Sequence, residues 1–257
     1  MTVFGNYSRY YDLLYQDKNY LAEAKFIHDL IQTHAPSAKT ILELGCGTGR
    51  HAELLANYGY QIHGVDRSLE MLNSAKDRLT NIDHQVASLL KFSQGDVRTV
   101  DINQQFDVII SLFHVVSYQT TNQDLQATFN TIKKHLKSGG VCIFDVWYGP
   151  AVLTQKPTVR VKRLEDEAIA VTRIAEPVIY PNENLVDVNY QVFIKDKKTE
   201  SVDILQETHT MRYLFKPELE ILLANSEMAI IDCKEWLTNQ DAGFNTWGIY
   251  FFTKNDI

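Results

Sequence analysis

Three features of the sequence predict an α/β protein built on a doubly wound parallel sheet, with an antiparallel β insertion after the fifth strand. Short apolar runs alternate with amphipathic stretches five times between Thr40 and Trp147, the pattern of a parallel sheet covered on both faces. A glycine-rich loop follows the first run and opens a helix. From about Gly149 the continuous runs give way to period-2 alternation in VRVKRL, IAVTRI, VDVNYQVFI and THTMRYL, which marks antiparallel strands with one wet face.

Each element follows from local pattern. A helix is predicted over 20–33, where Leu21, Ala24, Ile27, Leu30 and Ile31 share one face. The tyrosine-rich arm before it carries Tyr7, Tyr10 and Tyr11, expected to pack against a helix or pocket edge. Pro36 ends the helical pattern; a buried strand follows over 40–44, then the glycine turn and a helix over 50–58 stopped by Gly59. A strand over 61–65 ends in Asp66, and Ser68 caps a helix over 68–79. Strands are predicted near 89–92 and at FDVIISLF, then a helix over 122–136 closed by Gly139-Gly140 and the strand VCIFDVW. The insertion spans 150–215, after which PELEILLANSE is a helix and AIIDCKEW and WGIYFFTK are strands. The expected organisation is an arm and helix over 1–39, a core over 40–149 and 216–257, and the insertion over 150–215.

Composition excludes several classes. The 257 residues are 45% hydrophobic and 22% charged, the mix of a globular protein rather than a disordered one. The formal net charge is -7, with no run of Lys and Arg that would track a phosphate backbone, so nucleic acid is not an expected partner. Cys46, Cys142 and Cys233 are odd in number and far apart, which suggests neither a disulfide framework nor a metal site and fits a cytoplasmic setting. The apolar runs are of strand length, and no basic stretch leads into an apolar segment near Met1, so neither membrane spanning nor export is expected.

The sharpest motif is Glu43-Leu44-Gly45-Cys46-Gly47-Thr48-Gly49. Glycines between a strand and a helix let the chain turn tightly and let a ligand approach main-chain atoms. The dinucleotide fingerprint is G-x-G-x-x-G, whereas this loop is E-x-G-x-G-x-G. A carboxylate there does nothing for a pyrophosphate but suits a ligand with an ammonium group. Asp66, at the end of the second strand, is placed to accept both hydroxyls of a ribose.

With these motifs in order, the sequence from Thr40 onward resembles the class I S-adenosylmethionine-dependent methyltransferases. ELGCGTG looks like their first motif, VDRSLEML their ribose segment, GDV their adenine segment and FDVIISLFHVV their fourth motif. The resemblance implies a Rossmann-like sheet of seven strands, the last antiparallel, with S-adenosylmethionine as cofactor. It places Glu43, Gly45, Cys46, Gly47 and Gly49 around the methionine portion and Asp66 on the ribose. Met71, Asp96 and Val97 fall about the adenine end, Leu112 is a further cofactor contact, and Tyr20 faces the cofactor. A finer resemblance is to the bacterial dTDP-aminosugar N,N-dimethyltransferases, carried by YDLLYQDKNYLAEA, SLFHVVSYQTTNQDL and VCIFDVWYGP. It departs where those members carry an arginine for the nucleotide pyrophosphate, because DAGFNTWGI holds no basic residue. Arg160, Lys162, Arg163, Arg173 and Arg212 in the insertion are substitutes by charge, though their alternation reads first as a solvated face.

The implied reaction is methyl transfer to a small polar acceptor, best matched by the amino group of an amino sugar. The alternatives are O- or N-methylation of another small metabolite and a non-catalytic S-adenosylmethionine-binding protein. Tyr15 on the arm, and His114 and Tyr118 after the fourth strand, are the candidates to orient or deprotonate the acceptor. The resemblance puts Tyr15 and Tyr118 at the acceptor; the carboxyl ends of parallel strands face the ligand crevice, and His114 has a ring suited to proton transfer. The insertion is expected either to cover the substrate side or to join two copies in a homodimer.

Overall fold

A computed structural model describes residues 13–15, 18–238 and 240–255 of the chain. Tyr7, Tyr10 and Tyr11 of the arm lie outside the described residues.

Helix α1 (Tyr20–His34) leads into strand β1 (Thr40–Leu44), the glycine loop and α2 (Arg50–Ala56). Then follow β2 (Gln61–Asp66), α3 (Leu69–Leu79), the short α4 (His84–Ala87), β3 (Leu90–Gln94) and β4 (Phe106–Ser111). A 3₁₀ turn over Val115–Tyr118, α5 (Asn122–His135), β5 (Leu136–Tyr148) and α6 (Gly149–Thr154) complete the first half. The antiparallel strands β6 (Arg160–Glu165), β7 (Ile169–Tyr180), β8 (Leu185–Asp196) and β9 (Val202–Leu214) form the insertion, and α7 (Lys216–Ala224), β10 (Met228–Glu235) and β11 (Gly248–Asn255) close the chain.

The core sheet runs in the order β3-β2-β1-β4-β5-β11-β10, parallel except for β11. Strand periodicity divides its side chains between two layers. Ile41, Val108, Ile110, Val141, Ile143, Tyr250 and Phe252 pack with Ile27 and Ile31 of α1 and Leu55 of α2. Their neighbours Leu42, Ile109, Cys142, Phe144 and Phe251 face the other way, onto Phe129 and Ile132 of α5 and Leu219 and Leu223 of α7. Both faces are therefore dry, which is why these strands read as unbroken apolar runs.

The insertion does not stand apart. Beyond the end of β4, which pairs with β5 as far as Phe144, the exposed edge of β5 takes up β9 through Trp147 and Tyr148. The antiparallel sheet thereby extends the parallel one and brings Val171, Val192 and Ile194 down onto Met71 and Leu14.

Two boundaries differ from those predicted. Helix α5 ends at His135, and Gly139-Gly140 lies inside β5 rather than stopping the helix. The glycines serve an irregularity in register between Leu136↔Phe106 and Val141↔Val108, where Gly139 has φ 71° and a Cβ on Gly140 would lie 2.9 Å from the Lys137 carbonyl. Helices α4 and α6 carry too few residues to leave a periodic signal and were not predicted.

Candidate active site

The carboxyl ends of β1, β2, β4 and β5 converge on a cleft roofed by the arm and by the insertion. The loop after β1 is held down by the amides of Gly45 and Cys46, which donate to the Val65 carbonyl at 2.7 and 3.0 Å. Gly45, Gly47 and Gly49 all have positive φ, at 79°, 52° and 73°, where an L side chain is strained. Their surroundings differ. A Cβ on Gly45 would lie 2.5 Å from Val115 and one on Gly49 2.7 Å from Phe92, but a Cβ on Gly47 would meet nothing within 4 Å. Two of these glycines permit packing, while the third faces the open cleft.

Around this loop the electrostatics are unusual. Glu43 is 1% exposed and its Oε2 has no hydrogen-bond partner; burial, reinforced by the charge of Asp66, pushes its carboxyl up to about 8. Its other oxygen lies 3.9 Å from His51 Nδ1. Asp66 accepts from the Gly47 amide at 2.9 Å and the Ser68 amide at 2.8 Å, yet burial outweighs both bonds and raises its pKa. Tyr20 is 8% exposed and lines the cleft with Cys46, Gly47, Leu112 and Phe113.

Phe113 also lines a neighbouring cavity of about 350 Å³, between the arm, β5 and the insertion. Tyr15, His114, Asp145, Lys162 and Trp236 form much of its wall. At its inner end the Lys18 ammonium lies 2.6 Å from both oxygens of Glu23, 4.1 Å from the Phe113 ring centroid and 5.1 Å from that of Tyr20. Glu23 also meets His51 Nε2 at 2.7 Å and accepts from Trp236 Nε1 at 3.4 Å. Burial alone would raise its carboxyl, but the His51 hydrogen bond and the Lys18 charge prevail and hold it at about 2.

The sequence candidates divide between these two spaces. Glu43, Gly45, Cys46, Gly47, Gly49, Asp66, Leu112 and Tyr20 border the glycine cleft or its floor, and Tyr15 and His114 line the larger cavity. Tyr118 is half-buried, its hydroxyl 2.8 Å from His209 Nδ1 on β9, and desolvation raises its pKa well above the usual phenol value. Met71 packs beneath the insertion with Leu14. Asp96 forms a bidentate pair with Arg98, at 2.9 and 2.6 Å, which lowers its pKa; Val97 packs against the lower core layer. The basic residues of the insertion are not uniformly solvated: Lys162 lines the cavity and donates to the Leu14 carbonyl at 2.5 Å, Arg173 stacks 4.9 Å from the Tyr190 ring centroid, and Arg212 pairs with Glu218 at 7% exposure. Only Arg160 and Arg163 remain on an open face. Lys18, Glu23, His51, Asp145, Trp236 and His209 escaped the sequence reading. Of these only Asp145 left a signal, a carboxylate inside the apolar run VCIFDVW.

The fold and cleft are those of a methyl-transferring enzyme, and the comparisons agree. Residues 41–140 match the family model described as a methyltransferase domain. The chain is 30% identical over 184 residues to the dTDP-3-amino-3,4,6-trideoxy-alpha-D-glucopyranose N,N-dimethyltransferase of Streptomyces venezuelae, covering 71% of this chain and 74% of that protein. It is 26% identical over 195 residues to the dTDP-3-amino-3,6-dideoxy-alpha-D-glucopyranose N,N-dimethyltransferase of Streptomyces fradiae, covering 75% and 73%. The crystal structure of Streptomyces venezuelae DesVI superposes with a TM-score of 0.79 at 24% identity over 98% of each chain, a likeness of fold. The chain belongs to the S-adenosylmethionine-dependent methyltransferases, and dTDP-aminosugar N,N-dimethyltransferases are among its relatives.

The residues present fit that cofactor. A buried carboxylate oxygen without a partner at Glu43 suits an ammonium, the open side of Gly47 admits a close backbone approach, and the Lys18 ammonium against Phe113 and Tyr20 shows that this corner holds a cation.

Proposed function

We propose that this enzyme methylates the amino nitrogen of an amino sugar, with the acceptor seated in the cavity of about 350 Å³. The observation that carries the reading is that this cavity and the glycine cleft share Phe113 as a common wall, so an amine in one lies next to a methyl donor in the other. Relatives that bear N,N-dimethyltransferase names support the same acceptor class.

In this reading Glu43 takes the cofactor ammonium, Asp66 the ribose hydroxyls, Leu112 lines the glycine cleft, and Met71, Asp96 and Val97 border the adenine end. When bound, S-adenosylmethionine supplies an electrophilic methyl group and leaves as a neutral thioether. The chain contributes alignment first: Tyr15 presents its hydroxyl to the acceptor, and Tyr118, at the end of the 3₁₀ segment and braced by His209 of β9, supports the acceptor side. Positioning of this kind is worth about 7 to 11 kcal/mol when geometry is good. His114 receives the proton that the nitrogen sheds, a contribution of about 10² to 10⁴ in rate. Lys162 lines the cavity and would bring a positive charge to an acceptor phosphate, whereas Arg212 is committed to Glu218. The core over 40–149 and 216–257 then serves the cofactor and the insertion over 150–215 the substrate side. Three free thiols among the described residues fit a reducing compartment, and we place the enzyme in the cytoplasm.

Two measurements test this. Saturating S-adenosylhomocysteine should raise the melting temperature by ligand linkage while NAD does not. Incubation with S-adenosylmethionine and a panel of amino and hydroxyl sugars, read by mass spectrometry, should add 14-dalton increments to the amines alone, a mass set by the methyl group. Increments on hydroxyls alone would overturn the acceptor, and stabilisation by NAD alone would overturn the cofactor.

A further inference from the structure

Asp145 is the residue that the reaction above leaves without a purpose. It sits on β5 opposite Tyr250, 2% exposed in the centre of the sheet, where a carboxylate is costly unless it is fully engaged. Among the described residues its hydrogen bonds and ion pair are with His114. The His114 amide donates to both carboxylate oxygens, at 3.1 and 3.2 Å, and His114 Nδ1 lies 2.7 Å from Oδ2. The ring nitrogen is buried and turned off the line of a directed hydrogen bond, so the carboxylate is its close polar neighbour through charge and proximity.

The backbone is bent to make this contact. Phe113 and His114 both have left-handed φ, 67° and 63°, a conformation that is strained for a non-glycine residue. The chain then turns at once into the 3₁₀ segment over Val115–Tyr118. The ring lies against Gly248, where a Cβ would make ordinary van der Waals contact with His114 Cε1 at 3.5 Å, and Trp147 stands edge-on with centroids 6.4 Å apart. Nδ1 is buried, while the side chain lines the cavity and is still 25% exposed.

We propose that Asp145 is a positioning residue that holds the His114 proton on Nδ1 and so keeps the Nε2 lone pair directed at the acceptor. The proposal deepens the amine-methylating reading and rests on it for its purpose. When the acceptor nitrogen forms its bond to the methyl carbon it becomes an ammonium. One N–H bond then breaks, its electron pair stays on nitrogen, its proton passes to Nε2, and the imidazolium beside Asp145 returns the proton to water. A second methylation needs that nitrogen neutral again, which makes the proton acceptor matter between steps. A carboxylate on the far ring nitrogen fixes the tautomer and stabilises the imidazolium.

The test joins a tautomer measurement to kinetics on the full chain. With ¹⁵N-labelled histidine, His114 should show a protonated, pyrrole-type Nδ1 and an unprotonated, pyridine-type Nε2 without any acceptor present. Asp145→Asn, which keeps an acceptor for the His114 amide, should redistribute the proton. It should also lower kcat at least tenfold, with cofactor Kd changed less than twofold and Asp145→Glu restoring part of the loss. His114→Gln should cost as much as Asp145→Asn, and the double variant no more than either. A wild-type spectrum with the proton on Nε2, wild-type kcat in Asp145→Asn, or additive losses in the double variant would each overturn the proposal. Should Asp145→Asn fail to fold, the wild-type spectrum decides alone. If the enzyme methylates only hydroxyls, the amine reading falls while an Nδ1–H tautomer still upholds the role of Asp145.

Discussion

Glu43 and Glu23 show how two carboxyl groups joined by one imidazole are driven in opposite directions. Both are buried, and both lie near His51, but Glu23 also holds Lys18, whereas Glu43 has an oxygen with no partner. Glu23 therefore ionises at about 2 and Glu43 at about 8, against an ordinary 4.5 for each. For Glu23 the folded value is depressed, so its stabilising contribution is present above pH 4.5 and is lost as pH falls toward 2. For Glu43 the folded value is raised, so the apoprotein loses stability as pH climbs from 4.5 toward 8. Glu43→Gln should remove that decline, which thermal unfolding of the apoprotein at intervals between pH 5 and 8 checks. In the proposed site the cofactor ammonium would favour the Glu43 carboxylate, so binding at pH 7 should release a proton. Calorimetry in buffers of unlike ionisation enthalpy should detect this in the wild type and not in Glu43→Gln.

At the scale of the element, the glycine loop separates packing from ligand approach. Gly45 and Gly49 are hemmed in by Val115 and Phe92, so an alanine at either forces a neighbour aside in addition to its strained φ. Gly47 has the same kind of φ but nothing near its missing Cβ. Gly47→Ala is therefore expected to keep its far-UV circular dichroism and most of its stability while binding S-adenosylhomocysteine at least tenfold more weakly. Gly45→Ala should chiefly lower the melting temperature. Equal affinity loss in both, with equal stability loss, would mean that the loop is only a turn. The motif was legible in the sequence because glycine is the residue that occupies positive φ at low cost. Which glycine faces the ligand was not, because Val115 and Phe92 come from distant segments.

At the scale of the molecule, the insertion is joined to the cofactor domain through β9 on β5 and through an apolar seam where Met71 and Leu14 meet Val171, Val192 and Ile194. Met71 lies in the first turn of the helix after Asp66, so the seam ties the insertion to the segment expected to hold the ribose. Met71→Ala should cost about 2 to 5 kcal/mol, measured by denaturant unfolding, and should speed hydrogen exchange in β7 and β8 more than in β1 and β4. Uniform exchange across both sheets would argue that the seam does not couple them. No described helix is long and apolar enough to cross a membrane.

Local chemistry in the sequence determined the parallel core, the glycine loop after β1 and the change of grammar at the insertion. Each of these depends on periodicity or glycine content within a dozen neighbouring residues. Asp66 at a strand end and Glu43 before the loop were readable for the same reason. Tertiary structure decided what no window contains: that β9 caps the free edge of β5, that Lys18 and Glu23 occupy the corner beside Phe113, and that Arg212 pairs with Glu218 instead of facing water. The Asp145–His114 pair spans 31 positions. Its meaning depends on a buried carboxylate meeting an imidazole across neighbouring strands, an energy set by burial and distance rather than by any local pattern.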